Sequence, residues 1–171
     1  QSGKWYIYLS LEEMDYTIKI DRLKGNPVVY IRLTTNNLKK DGKFNEIIKT
    51  VNRQQRIKIE TKSKYNSDKK QTTSLWYPLN GMNQQQFEIK GPALVRVFTR
   101  GEIKPIESSL EYYMLVKEDG IDLGTYYFHT LQSYESTLSE SQESVSKWRS
   151  IWLNIPEGIH SVSYTHLRAH E

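Results

Sequence analysis

Apolar and polar residues alternate with a period of two through most of this chain, which restricts it to β-structure. In YTIKI, Tyr16, Ile18 and Ile20 share one face while Thr17 and Lys19 take the other. Ile31 and Leu33 flank Arg32 in VYIRLTT, and Ile57 and Ile59 alternate with Arg56, Lys58 and Glu60 in RIKIETK. Phe87 and Ile89 share one side of FEIKG. ALVRVFTR and LEYYMLVKED read as fuller strands buried on more than one side, and GTYYFHTL and KWRSIWLNI complete the set. Successive side chains of a strand point to opposite faces, so such runs suit half-buried sheets. KGNP, KKDGK, LNGMN, KGP and EDG separate them as turns. Asp119-Gly120 predicts a tight hairpin, because both residues tolerate positive φ. Only FNEIIKTVNRQ, residues 44–54, has helical spacing, with Phe44, Ile47, Ile48 and Val51 on one stripe. Residues 133–147 are rich in Ser and Glu and nearly free of apolar side chains, and predict a long loop or insert.

An internal repeat organises the strands. WYIYLSLEEMDYTIK (5–19) lies over WYPLNGMNQQQFEIK (76–90) without a gap, and Trp5/Trp76, Tyr6/Tyr77 and Lys19/Lys90 are identical. After a length difference, 29–35 lies over 93–99, and 55–62 over 112–119. This order predicts an all-β protein of two tandem, related β-sandwich units of immunoglobulin-like or jelly-roll-like type, the second cut short at its C-terminus. The expected division is 1–71, 72–160 and a separate tail, 161–171.

Charge follows the same division. Residues 1–75 hold 16 Lys/Arg against 8 Asp/Glu, and residues 76–160 hold 7 against 11. The first unit is basic and the second acidic. The chain has no cysteine, which excludes a disulfide framework and thiolate metal sites. No apolar run approaches the ~20 residues of a membrane helix. The opening QSGKWY lacks Met and fits a mature chain left after cleavage of a leader, the favoured reading, or a trimmed fragment.

Catalytic motifs are missing: there is no GxSxG, no P-loop and no GxGxxG. His129 and His160 have no Cys, Asp or Glu at ligand spacing. Glu118, Asp119 and Asp122 in EDGIDLG could suggest calcium, but the Asp-rich 12-residue loop is lacking, and a solvated hairpin turn reads better. The expectation is therefore no catalytic residue, no metal site and no cofactor.

The aromatic residues offer more. In KWRSIWLNI, Ile151, Leu153 and Ile155 fall on one face, and Trp148 and Trp152 on the other. If the aliphatic face is core, both indoles point outward, roughly 13 Å apart along the strand, a span that suits stacking on two sugars of a polysaccharide. Trp76, Tyr77 and Tyr126, with Tyr112 and Tyr127, could extend this platform, or could pack a core or an interdomain contact. The basic half offers a polyanion surface at Lys39, Lys40, Lys43, Arg53, Arg56 and Lys58. Few aromatics interleave with these cations, which argues against single-stranded nucleic acid as the partner.

The tail differs from the rest. VSYTHLRAHE, residues 162–171, neither alternates nor continues a helix, and His166 and His170 at helical spacing lack a third protein ligand. Back-translated as GTC TCT TAT ACA CAT CTC CGA GCC CAC GAG, it resembles the transposon-end adapter of sequencing libraries, and Ser161 fits the preceding TCT codon. That resemblance implies a tail of non-native origin, a bacterial source, a natural chain continuing past residue 160, and an edge strand left unpaired and open to self-association. Residues 75–160, with LWYPLNG, FEIKGPALVRVFTR, YYMLVKEDG and NIPEGIH, resemble β-sandwich domains of uncharacterised secreted or periplasmic bacterial proteins. The resemblance implies a secreted, periplasmic or cell-surface location and carries over no activity. The expected function is a non-catalytic envelope or extracellular binding and assembly module with a protein partner or an envelope glycan. The alternatives are a carbohydrate-binding module using Trp148 and Trp152, and an accessory domain of a larger secreted enzyme.

Overall fold

The computed structural model describes residues 28–35, 48–51, 55–62, 71–79 and 84–167. Nine strands follow in chain order: β1 (Val29–Thr35), β2 (Ile48–Thr50), β3 (Ile57–Thr61), β4 (Thr72–Leu79), β5 (Gln85–Gly101), β6 (Ser109–Glu118), β7 (Ile121–Leu138), β8 (Ser144–Ser146) and β9 (Arg149–Leu167). Seven of them close into an antiparallel ring, β1-β4-β3-β7-β6-β9-β5, because β1 pairs with β4 on one side and with β5 on the other. β2 adds to β5 and β8 to β7. No helix occurs among the described residues.

The all-β expectation holds, but the two tandem sandwiches do not: the fold is one closed barrel with two extra strands. Strands from either side of the expected boundary at 71/72 interleave. β3 lies between β4 and β7, and β1 between β4 and β5. The segments that looked like equivalent parts of a repeat are in one case direct neighbours: 29–35 pairs with 95–101 from Val29↔Gly101 to Thr35↔Val95. The other half of the longest match, 5–19, lies outside the described residues.

Three local expectations are also corrected. Residues 48–50 of the expected helix form β2, where Ile48 is buried opposite Ile89; 44–47 and 52–54 lie outside the described residues. The expected loop at 133–147 contains the end of β7 and all of β8. Ser136 is buried there with its hydroxyl 2.9 Å from that of Thr61, so serine fills inward positions that a hydrophobic pattern would not reveal. Alternation also continues past residue 160: Val162, Tyr164 and His166 are buried, and 162–164 are paired with β5 on one side and β6 on the other.

Length explains how one barrel hides behind short sequence runs. β5 continues through Lys90-Gly91-Pro92, where a turn was expected, and pairs with β9 from Gln85↔Tyr164 to Thr99↔Arg149 across a register shift at Gly91/Ala93. Gly91 faces Gly158, and a Cβ on Gly91 would stand 1.6 Å from the carbonyl oxygen of Pro156. No residue but glycine lets the two backbones approach this closely. Gly158 has φ 121°, a conformation open to glycine alone.

The apolar residues separate into two clusters. The larger contains Val29, Ile31 and Leu33 of β1, the inward residues of β5 (Val95 and Val97), Tyr112 and Met114 of β6, Phe128 of β7, and Leu153, Ile155, Val162 and Tyr164 of β9. The smaller lies on the opposite face of β1, where Tyr30 meets Ile59, Trp76, Leu138 and Val145. Among the described residues no helix is long and apolar enough to cross a membrane.

Candidate functional site

The outward positions of β1, β5 and the first half of β9 form one surface because the register aligns them. Arg96 of β5 pairs with Trp152 of β9, and Phe98 with Ser150. Arg32 of β1 pairs with Phe98 from the other side. With Ile151, Leu153 and Ile155 turned toward the larger core, Trp148 and Trp152 are thrown outward, 50% and 47% exposed.

Arg96 organises the surface. Its guanidinium carbon stands 4.5 Å from the centre of Phe98, 5.4 Å from Trp148 and 5.2 Å from Trp152. Cations bind the faces of aromatic rings through the ring quadrupole, at about 0.5–1 kcal/mol in exposed settings. Arg96 Nε donates to Ser150 Oγ at 3.1 Å, which fixes the plane of the guanidinium. Phe98 and Trp148 meet edge to face at 5.3 Å and 75°. A second cation, Arg32, lies 5.7 Å from the same Phe98 ring. Two indoles and two guanidiniums thus gather around one phenyl ring, Phe98, which is itself partly buried against the smaller apolar cluster.

The other aromatic residues singled out from sequence do not join them. Trp76 is only 3% exposed in the smaller core; its Nε1 donates to Ser74 Oγ at 2.8 Å, and Arg100 lies 5.5 Å over its ring. Arg100 is itself buried, donating through Nε and Nη2 to the Ser146 carbonyl at 2.9 and 2.6 Å. Burial lowers its pKa to about 10. Tyr77 and Tyr126 are partly buried against the larger core, and Tyr77 meets Phe87 edge to face at 5.2 Å. Tyr112 is buried, whereas Tyr127 is exposed on β7 beside Tyr113. Burial and the neighbouring Glu111 push the Tyr127 hydroxyl up to about 12. Of the expected polyanion residues, Arg56 and Lys58 are exposed at β3; Lys39, Lys40, Lys43 and Arg53 lie outside the described residues.

No family model, no curated protein and no solved structure matches this chain.

A second polar cluster lies at the β6–β7 turn. Asp119 and Gly120 have φ of 49° and 82°, the two positive values of a tight hairpin turn. His160 Nδ1 is 2.8 Å from Asp119 Oδ2 and 3.3 Å from Glu118 Oε1, while its Nε2 is 3.3 Å from the Glu157 carbonyl. Both ring nitrogens face oxygen acceptors, which favours the doubly protonated ring. Neither nitrogen is therefore disposed to take a proton from a nucleophile. Among the described residues, no group of three or more His, Asp and Glu is placed to hold a metal ion.

Sequence reasoning marked Trp148 and Trp152 but missed Arg32, Arg96, Phe98 and Ser150. The signal was the Arg96/Phe98 alternation in ALVRVFTR, which becomes informative only once β5 is known to pair with β9.

Proposed function

We propose that this protein is a non-catalytic carbohydrate-binding module of the bacterial envelope or extracellular space, with the outer face of β1, β5 and β9 as its ligand surface. The single observation that carries this reading is the pair of half-exposed indoles, Trp148 and Trp152, held by Arg96 on a sheet face instead of being folded into a core. Holding two indoles in place before a ligand arrives lowers the entropy lost on binding. The apolar face of a sugar ring then packs on a flat π-surface. The test is affinity electrophoresis against a panel of soluble polysaccharides with wild-type protein, Trp148→Ala and Trp152→Ala. Retardation by at least one polymer that both variants lose supports the reading; no retardation by any polymer removes it.

A second reading, an assembly module, draws on a different observation. Among the described residues, β9 pairs with β5 alone from Arg149 to Ile159, since its contact with β6 begins at Val162. A row of unpaired backbone groups can accept a strand from another chain or from a second copy. Sedimentation as a concentration-dependent dimer would favour it.

The ligand face ends at Trp152, upstream of the adapter-like residues 162–171. The β6–β9 pairing that closes the barrel, from Glu118↔Val162 to Tyr113↔Leu167, lies within those residues, so the fold that presents the face rests on the tail, whose origin sequencing the gene from an unprocessed source decides.

A further inference from the structure

We propose that this face selects acidic polysaccharides, of the uronate type, over neutral ones through Arg32 and Arg96. The inference rests on the carbohydrate reading above and specifies its ligand. Two guanidiniums converge on one ring, Arg96 at 4.5 Å and Arg32 at 5.7 Å from the centre of Phe98. Like charges this close repel, and the ring quadrupole offsets only part of that. Among the described residues neither arginine forms an ion pair with a carboxylate. No Asp or Glu occurs from Val29 to Thr35 in β1, from Ile89 to Gly101 in β5, or from Lys147 to Pro156 around the start of β9. Among the described residues of these three strand segments, the face is therefore positive without a carboxylate to compensate it.

A uronate supplies what is missing. Its carboxylate accepts the paired N–H groups of a guanidinium, a geometry lysine does not reproduce. Its pyranose C–H face rests on an indole beside that arginine. Arg96 is well placed for both parts, because Ser150 holds its Nε and both indoles flank it. Nucleic acid, the other polyanion such a face could meet, is an outcome of the test below.

The experiment compares polygalacturonate with its methyl-esterified form, which has the same backbone without the charge. A single-stranded oligonucleotide is the third probe, and tryptophan fluorescence is the readout. Wild-type protein should bind polygalacturonate about tenfold more tightly than the ester, the size of one charge-assisted contact. Arg32→Gln should reduce that preference, and Trp152→Ala should weaken binding to both polymers. Equal affinity of the wild type for the two polymers overturns the acid preference and leaves the carbohydrate reading intact. Binding to neither overturns the acid preference, and the polysaccharide panel above then decides the carbohydrate reading. Tighter binding to the oligonucleotide overturns the proposal in favour of a nucleic-acid surface. Should Arg32→Gln fail to fold, salt decides with the wild type: a preference that fades as ionic strength rises supports the proposal, and one indifferent to salt overturns it.

Discussion

His160 and Asp119, 41 residues apart in sequence, meet at 2.8 Å and fasten the β6–β7 hairpin to β9. The carboxylate uses its other oxygen as well, since Ser161 N donates to Oδ1 at 2.8 Å, and Asp119 N donates to the Ser161 carbonyl at 2.8 Å. The hydrogen bond to Asp119, followed by that to the Glu157 carbonyl, raises the His160 pKa. The Ser161 N–H, followed by His160, lowers that of Asp119. A raised imidazole contributes stability that is fully present below its unfolded value and is lost as pH rises through the folded one. A lowered carboxylate contributes stability present above its unfolded value and lost as pH falls through the folded one. The latch is therefore complete between the ordinary carboxylate and imidazole ranges and loosens on the alkaline side. By NMR, His160 should titrate above the free imidazole value of about 6.5, and Asp119→Asn should bring it down toward that value. A wild-type midpoint at or below the free value would contradict the latch.

The tryptophans should separate into two classes by stability. Trp76 fills the smaller core, so Trp76→Ala should cost about 3–5 kcal/mol. Trp152 lies on the surface, and Trp152→Ala should cost about 1 kcal/mol or less, the worth of an exposed cation–π contact. Urea denaturation measures both. If Trp76→Ala prevents folding, Trp76→Phe should fold with a lowered midpoint. Equal losses at the two positions would show that Trp152 is packed rather than presented.

Gly91 should tolerate no side chain. Its added methyl would run into the backbone carbonyl of Pro156, an atom that cannot swing away. Gly91→Ala should lose about 1–3 kcal/mol or more. Gly124→Ala is the control, since its nearest neighbours are ring atoms of Tyr126 at 3.6 Å, an ordinary contact. Thermal melts that leave both variants unchanged would refute the close β5–β9 approach.

The strand faces were legible because each depends on neighbouring residues. Ile31 and Leu33, Phe87 and Ile89, and Leu153 and Ile155 are buried as their alternation predicts, and Trp148 and Trp152 point outward. Asp119-Gly120 forms the expected turn for the same local reason. The partnership of strands was not legible. The match of 29–35 to 93–99 reflects similar surroundings on paired neighbours, and sequence similarity cannot distinguish neighbours from repeats. β7 looked as if it ended early because its last turn inward is made by Ser136 and Leu138, one of them polar. The site suffered from the same gap. Arg96 and Trp152 are 56 positions apart, and only the β5–β9 register makes them one surface.

The most direct measurement follows the indole N–H resonances during titration with polygalacturonate. The ligand face requires those of Trp148 and Trp152 to shift, while that of Trp76, buried and bonded to Ser74, stays in place. Shifts confined to Trp76, or two outer indoles that remain still while the polymer binds, would contradict it.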